Sequence, residues 1–512
     1  MSAKKVDDKV VTFHDTTLRD GVQSLWGITA GTRPGIWDAV APYLEQGGFI
    51  STTTWPLQGL EGFVRYFGIN PWEFYEKIMG HYKTTPLMIT QLGMLIKMAE
   101  PPVNKSLYRF YVHITAKTYK GRLKYCNLFS CSRDEIKREF PFEFQVFREY
   151  GIEPIPYIMY TVDPKHTDEW YAKTVKEVAT KFKPVRICME DVGGLLTVER
   201  AKTLIPAMMN NANGIPIELH MHGMSGFHEA VAVEAMKMGI RRFQTCVPPL
   251  ADGSSLPSCF NVAHNARILG LKPQLNEEPL REVQERLTKI AKEEGYAIGA
   301  PRLYDERIYQ HKVPGGVIAN LEFQLKMLGL HHRLDEILDE VSQIVVDLGY
   351  PVQMTPHSQF IVTQATMNVA LGKRYDKFID AMTEYALGVY GTEDTGVDIM
   401  DQNLKDKFLN GPNAKRIAEK YARDQEEFEK EYTFDELKAK YGAPGATDEQ
   451  FWNHYWGLTD NEVVALRYAP KAKSYYFGKE PLVLLLNELK KDHDISRLEL
   501  RKGNNVFQFR SK

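Results

Sequence analysis

From residue 9 to about residue 275 the chain alternates short apolar runs with longer stretches whose apolar positions recur at helical spacing. The runs Val10 to Asp15, Phe49 to Thr54, Leu87 to Gln91, Lys124 to Ser130, Pro154 to Tyr160, Val185 to Glu190, Ile215 to His222 and Arg242 to Val247 have the length and composition of strands. Between them lie helix-like patterns such as WEFYEKIMGHY from Trp72 and DEWYAKTVKEVATKF from Asp168. Eight strand-then-helix units predict an α/β fold, a parallel (β/α)8 TIM barrel, because parallel strands need helical crossovers and eight of them close into a ring. Chemistry in that fold sits at the carboxyl ends of the strands. At that end of the seventh strand stands IELHMHGMSG, Ile217 to Gly226. Side chains two apart on a strand share a face, so His220 and His222 can reach one metal ion. Taken alone, the pair reads equally well as two satisfied histidines at a strand terminus.

After Gln274 the pattern turns helical, in LREVQERLTKIAKEEG, IANLEFQLKMLGL, RLDEILDEVSQIVVDLG and QFIVTQATMNVALG. Residues 1–275 are therefore read as the barrel, 276–391 as a helical domain, and 392–512 as a charged, helical extension. The charge runs of that extension read most simply as a solvated surface. The closing SRLELRKGNNVFQFRSK alternates either side of Gly503-Asn504-Asn505 and predicts a terminal β-hairpin.

Composition narrows the function. The 512 residues are 43% hydrophobic and 25% charged, with a formal net charge of -2. Lys+Arg 64 against Asp+Glu 66 leaves no cationic excess for tracking a phosphate backbone, so nucleic acid is not the expected partner. No apolar run is long enough for a membrane span, and the opening MSAKKVDDKVVTF lacks the apolar core of a signal peptide, so a cytoplasmic location is expected. Cys126, Cys131, Cys188, Cys246 and Cys259 are too scattered for a disulfide framework or a zinc-type pair and read as reduced, mostly buried thiols.

The segment FHDTTLRDGVQS, from Phe13 to Ser24, resembles the opening motif of the carboxyltransferase components of pyruvate carboxylase, oxaloacetate decarboxylase and methylmalonyl transcarboxylase. More remotely it is similar to the barrel lyases and synthases related to hydroxymethylglutaryl-CoA lyase. The resemblance continues through NPWEFYEKI at Asn70, ICMEDVGGLLTVERAKTL at Ile187, the HMHGMSG turn, GSSLPS at Gly253, VPGGVIANLEFQ at Val313 and TPHSQFIVTQATMNVALG at Thr355. It implies that Asp20, His220 and His222 hold a divalent metal, Zn, Mn, Co or Fe, that polarises a substrate oxygen. It also implies that Arg19 steadies enolate charge and that Gln23 faces substrate. Asp20 has a plainer alternative as a turn cap after the first strand.

Three departures bear on the chemistry. Where the carboxyltransferases carry a carbamylated lysine that bridges to the metal, this chain has Glu190, which could ligate, act through water, or form only a salt bridge with Arg186 or Arg19. Where relatives hold a 2-oxo acid with an arginine before a glycine, Gln91 and Leu92 precede Gly93. Where relatives use a threonine to move a proton between substrate and biotin, Ala319 has no proton to give. The substrate is therefore expected not to be pyruvate or oxaloacetate. His357 and Tyr160 are the replacement proton-transfer candidates, against plainer roles as a capping histidine and a core tyrosine.

The segment EAMKMG, from Glu234, looks like the surroundings of a biotinylated lysine, but Lys237 falls on a helical pattern rather than a tight β-turn. Biotin is then expected on a separate carrier protein. The resemblance implies a carboxyltransferase subunit working with a biotin carboxyl carrier protein and a biotin carboxylase subunit, in a homodimer or higher assembly. The alternatives are a biotin-independent metal-dependent lyase, synthase or decarboxylase, and a scaffold subunit without catalysis.

Overall fold

The computed structural model describes residues 8–90, 103–130, 132–327, 329–466, 473–475, 477, 497–502 and 505–510. Eight strands follow one another: β1 (Val10–Asp15), β2 (Ser51–Thr54), β3 (Leu87–Thr90), β4 (Leu123–Ser130), β5 (Glu153–Met159), β6 (Ile187–Asp191), β7 (Ile217–Met221) and β8 (Arg242–Thr245). Each pairs in parallel with its neighbour in sequence. β8 pairs with β1 and β1 with β2, which closes the expected barrel. A two-residue strand, Lys272–Pro273, adds to the outer edge of β1. Strand ends lie within about two residues of the sequence reading, the usual uncertainty of an element boundary.

The barrel interior is unusually polar for a packed core. His14 on β1 bonds Ser51 Oγ at 2.5 Å and Thr53 Oγ1 at 2.6 Å, and Asp15 accepts from Thr17 and Thr52. On β7 the period of two puts Glu218 and His220 on the inward face, with His222 one step beyond the strand's end.

Outside the ring, the helix Asp168–Phe182 matches its predicted span, with the Thr167 side chain capping its first turn. The later helices include Glu277–Glu294, Gly315–Met327, Leu334–Asp347 and His357–Leu371. The Gly315–Met327 helix begins over the carboxyl ends of the strands, where Gly315 lies against Ser254 and Gly316 faces Gln23.

The charged segment after residue 391 is more than a solvated face. Trp452 is buried and its indole N–H donates to the Leu57 carbonyl at 2.7 Å, while Asn70 donates to the Val463 carbonyl at 3.2 Å. Phe434, Phe451 and Trp452 surround Phe110 of the barrel helix Lys105–Thr118. Apolar residues at wide spacing in a polar segment thus clamp it to the barrel. The terminal hairpin forms from Arg497–Lys502 and Asn505–Arg510, with Lys502 paired to Asn505, so Asn505 belongs to the second strand rather than the turn. Cys126, Cys188, Cys246 and Cys259 are buried free thiols, and Cys131 lies outside the described residues. No helix among the described residues is long and apolar enough to cross a membrane.

Candidate metal centre at the barrel rim

The two histidines of β7 converge. His220 Nε2 and His222 Nε2 lie 3.1 Å apart. Each ring's other nitrogen is committed: His222 Nδ1 lies 2.7 Å from the Ser254 carbonyl and His220 Nδ1 lies 2.7 Å from Gln244 Oε1. A carbonyl oxygen only accepts, so both Nδ1 atoms carry the proton, and both Nε2 atoms of the neutral rings present lone pairs to each other. Protonating one ring would relieve the repulsion, but burial holds His220 well below the ordinary histidine range and His222 down at about 4, and the Arg19 charge lowers both further. A cation between the two nitrogens satisfies both, so the donor set fits a divalent metal.

The carboxylates are less advanced. Glu190, at the end of β6, approaches His220 Nε2 to 3.7 Å. Burial raises its pKa to about 7 against the opposing charge of Arg19. Arg19 and Asp20 ride on a single π-helical turn, Thr17–Gly21, immediately after β1, an irregularity frequent at functional sites. The Asp20 carboxylate accepts from Thr16 Oγ1 and pairs with the Arg19 guanidinium. Burial brings Arg19 down to about 10, and Glu190 and Tyr157 oppose that fall. Asp20, Glu190 and the two imidazoles do not form a ligand trio within 4.8 Å of one another. Asp20 must leave Arg19 before it can bind a metal.

The remaining expected residues divide. Gln23, on the short helix Val22–Leu25, is half-buried and faces Gly316 at the roof of the site. Tyr160 is buried; its backbone N–H donates to the Glu190 carbonyl at 2.7 Å, and burial drives its hydroxyl pKa upward. His357 is wholly buried among Phe360, Tyr385 and Tyr390, with Nδ1 3.0 Å from the Val352 carbonyl. Those contacts belong to the helical region's own core. Gln91, Leu92 and Gly93 lie outside the described residues. Lys237 is exposed on the helix His228–Met238 and pairs with Glu234 at 3.2 Å, as its helical spacing predicts.

Several residues of the site carry no signal in a linear reading. Arg186 pairs not with Glu190 but with Glu218, Nε to Oε2 at 3.0 Å, and its guanidinium lies 4.5 Å over the Tyr125 ring. Gln244 Nε2 donates to Glu218 Oε1 at 2.7 Å and to the Tyr157 hydroxyl at 2.5 Å. Nearby, His228, Glu229 and Asp252 form a ligand trio closed within 4.8 Å. There His228 Nε2 contacts Asp252 Oδ1 at 2.9 Å, and Glu229 accepts from Ser258 N and Asn261 Nδ2, clasping the loop that contains Ser254.

Residues 70–287 match the family described as HMGL-like, and residues 308–456 match the conserved carboxylase domain. The chain belongs to the HMGL-like carboxyltransferase family. Among its family relatives, a pyruvate carboxylase subunit of Methanocaldococcus jannaschii is 26% identical over 384 residues, covering 75% of this chain and 66% of that protein. This chain therefore spans just under two thirds of that carboxyltransferase relative. The 2-oxoglutarate carboxylase large subunit of Hydrogenobacter thermophilus is 26% identical over 483 residues, covering 92% of this chain and 69% of that one. The carboxyl transferase domain of Rhizobium etli pyruvate carboxylase, solved with pyruvate and biocytin, shares the fold with a TM-score of 0.74 at 19% identity, over 98% of this chain and 84% of that one.

Proposed function

We propose that the chain is the carboxyltransferase subunit of a multi-subunit biotin-dependent carboxylase, acting in the cytoplasm as a homodimer or higher assembly. The observation that carries this reading is the pair of facing Nε2 lone pairs of His220 and His222, both Nδ1 protons being held elsewhere. His220 and His222 would hold the metal, with Asp20 and Glu190 as its carboxylates. When bound, the metal, one of Zn, Mn, Co or Fe, supplies Lewis acidity toward a substrate carbonyl oxygen.

The chain's own residues supply the rest. Arg19 carries a buried Nε without a hydrogen-bond partner, a donor able to offset negative charge on a substrate oxygen. Gln23 and the start of the Gly315–Met327 helix close the site from above and keep water from the reacting carbon. In the transfer, the N–C bond of carboxybiotin breaks and a C–C bond forms at the substrate carbon. The proton lost from that carbon ends on the biotin nitrogen, so a biotin carboxyl carrier protein and a biotin carboxylase subunit must act with this chain.

Gln91 and Leu92, in place of the arginine of 2-oxo-acid-using relatives, support a small substrate other than pyruvate or oxaloacetate. Glu190 and Ala319 support a second reading, a biotin-independent metal-dependent lyase, synthase or decarboxylase, because neither a carbamate nor a proton-moving threonine is needed there. Labelled bicarbonate, ATP, purified carrier and carboxylase subunits, and a panel of acceptor acids decide between them. The first reading gives acid-stable label that avidin abolishes and that His220→Ala does not produce. Turnover without the carrier establishes the second. A chain that purifies free of metal and is inert in both assays is a scaffold.

A further inference from the structure

Resting on the metal reading above, we propose that the buried Arg186–Glu218 ion pair, acting through the Gln244 amide, fixes the tautomer of His220 and thereby decides whether β7 can bind a metal. Glu218 is then a positioning residue that touches neither metal nor substrate.

All the links are enclosed. Arg186, Glu218, Gln244 and His220 are each buried to within a few per cent of complete, so water cannot substitute for a wrong partner. Arg186 Nε faces Glu218 Oε2 at 3.0 Å, and Glu218 Oε1 faces Gln244 Nε2 at 2.7 Å. A carboxylate only accepts, so the amide must present its nitrogen to Glu218 and its oxygen to His220. That oxygen, 2.7 Å from Nδ1, accepts only if Nδ1 carries the proton. Nε2 is then the free donor atom facing His222. Second-sphere partners of this kind generally set the tautomer of metal-binding histidines. What is particular to this chain is that a rotatable amide stands between the charge and the ring, so the arrangement has two settings.

Replacing Glu218 with its isostere exposes the second setting. In Glu218→Gln the new amide turns its oxygen toward the Arg186 guanidinium, because an NH2 beside a buried cation has no acceptor. Its nitrogen then points at Gln244 Nε2, donor against donor. Gln244 relieves this by turning over, and the Tyr157 hydroxyl, now 2.5 Å from Gln244 Nε2, can donate to the turned oxygen as readily as it now accepts. The turned amide presents NH2 to His220 Nδ1. That nitrogen must then be the acceptor, the proton moves to Nε2, and the metal-facing lone pair is lost. A second change, Gln244→Glu, repairs the relay: the amide introduced at position 218 donates to the new carboxylate, which accepts again from Nδ1–H. The double variant keeps the same net charge as the parent and only moves one carboxylate along the relay.

The experiment uses the full chain, stripped of metal, in parent, Glu218→Gln and Glu218→Gln/Gln244→Glu forms. Long-range proton–nitrogen NMR on 15N-histidine protein, with His220→Ala for assignment, reads which ring nitrogen is protonated; Zn2+ and Co2+ titrations read affinity. Expected are Nδ1–H in the parent, Nε2–H and an affinity about 10- to 100-fold weaker in the single variant, and return of both toward parent values in the double variant. A single variant that keeps Nδ1–H overturns the proposal, as does a double variant that has Nε2–H. Should the single variant fail to fold, the double variant decides by the same two readings. A parent with Nδ1–H but no measurable metal affinity would sink the metal reading while leaving the tautomer lock standing.

Discussion

Gly315 rests on Ser254 so closely that a Cβ at 315 would lie 2.4 Å from the Ser254 carbonyl oxygen and 2.8 Å from its Cβ. That same oxygen takes the Nδ1 proton of His222. The first residue of the helix that roofs the barrel thus bears on the group that orients a candidate ligand, and the absence of a side chain at 315 is what permits the contact.

Gly315→Ala must therefore displace the Ser254 loop or the roof helix. We expect a loss of about 1–3 kcal/mol in stability, the usual range for overpacking, together with weaker metal binding. Urea unfolding and Zn2+ titration of the variant measure the two effects. Parent-like values in both would mean that the contact constrains nothing.

Arg19 holds the Asp20 carboxylate and acts on Glu190. Arg19→Met keeps the stem and removes the charge. Turnover should fall about 100- to 1000-fold, the range for loss of one donor to a developing oxyanion, while metal affinity does not fall, because Asp20 is released from its competing partner. Loss of metal with the activity would assign Arg19 to assembling the site rather than to stabilising charge.

Asp448 binds the charged C-terminal segment to the barrel. Burial pushes its pKa up, but hydrogen bonds from Lys117 at 2.7 Å, Lys438 at 3.0 Å and His113 at 3.2 Å outweigh that and hold it below the ordinary carboxylate value. A depressed folded-state pKa stabilises the fold above the unfolded value of about 3.9, and that contribution disappears as pH falls through the folded value. Asp448→Asn should be less stable than the parent at pH 7, with the gap narrowing once the pH drops below about 4. Denaturant unfolding at pH 7, 5 and 3 follows the gap; a constant gap would contradict the assignment.

Much of the fold was legible because strand and crossover patterns recur eight times, and the His220–His222 pair was legible because a spacing of two on a strand guarantees a shared face. Their supporting groups were not. Glu218 shares that face, a signal present in the sequence, but its partners Gln244 and Arg186 come from β8 and from just before β6 and meet it only through the barrel's register. Arg186 and Glu190 also share a face, which suggested a pair. Four residues of strand separate them by about 13 Å along the axis, so Arg186 meets Glu218 lower in the barrel. The turn at Arg19 and Asp20 is irregular, and nothing in LRD tells which way either side chain faces. In the C-terminal segment, charge masked anchors as sparse as Phe451 and Trp452.

Whether His220 and His222 share a divalent cation is decided by elemental analysis of the native chain purified without chelators, alongside His220→Ala and His222→Ala. A shared site gives about one equivalent of a transition metal per parent chain and little in either variant. A parent without metal, or variants that carry as much as the parent, would contradict it.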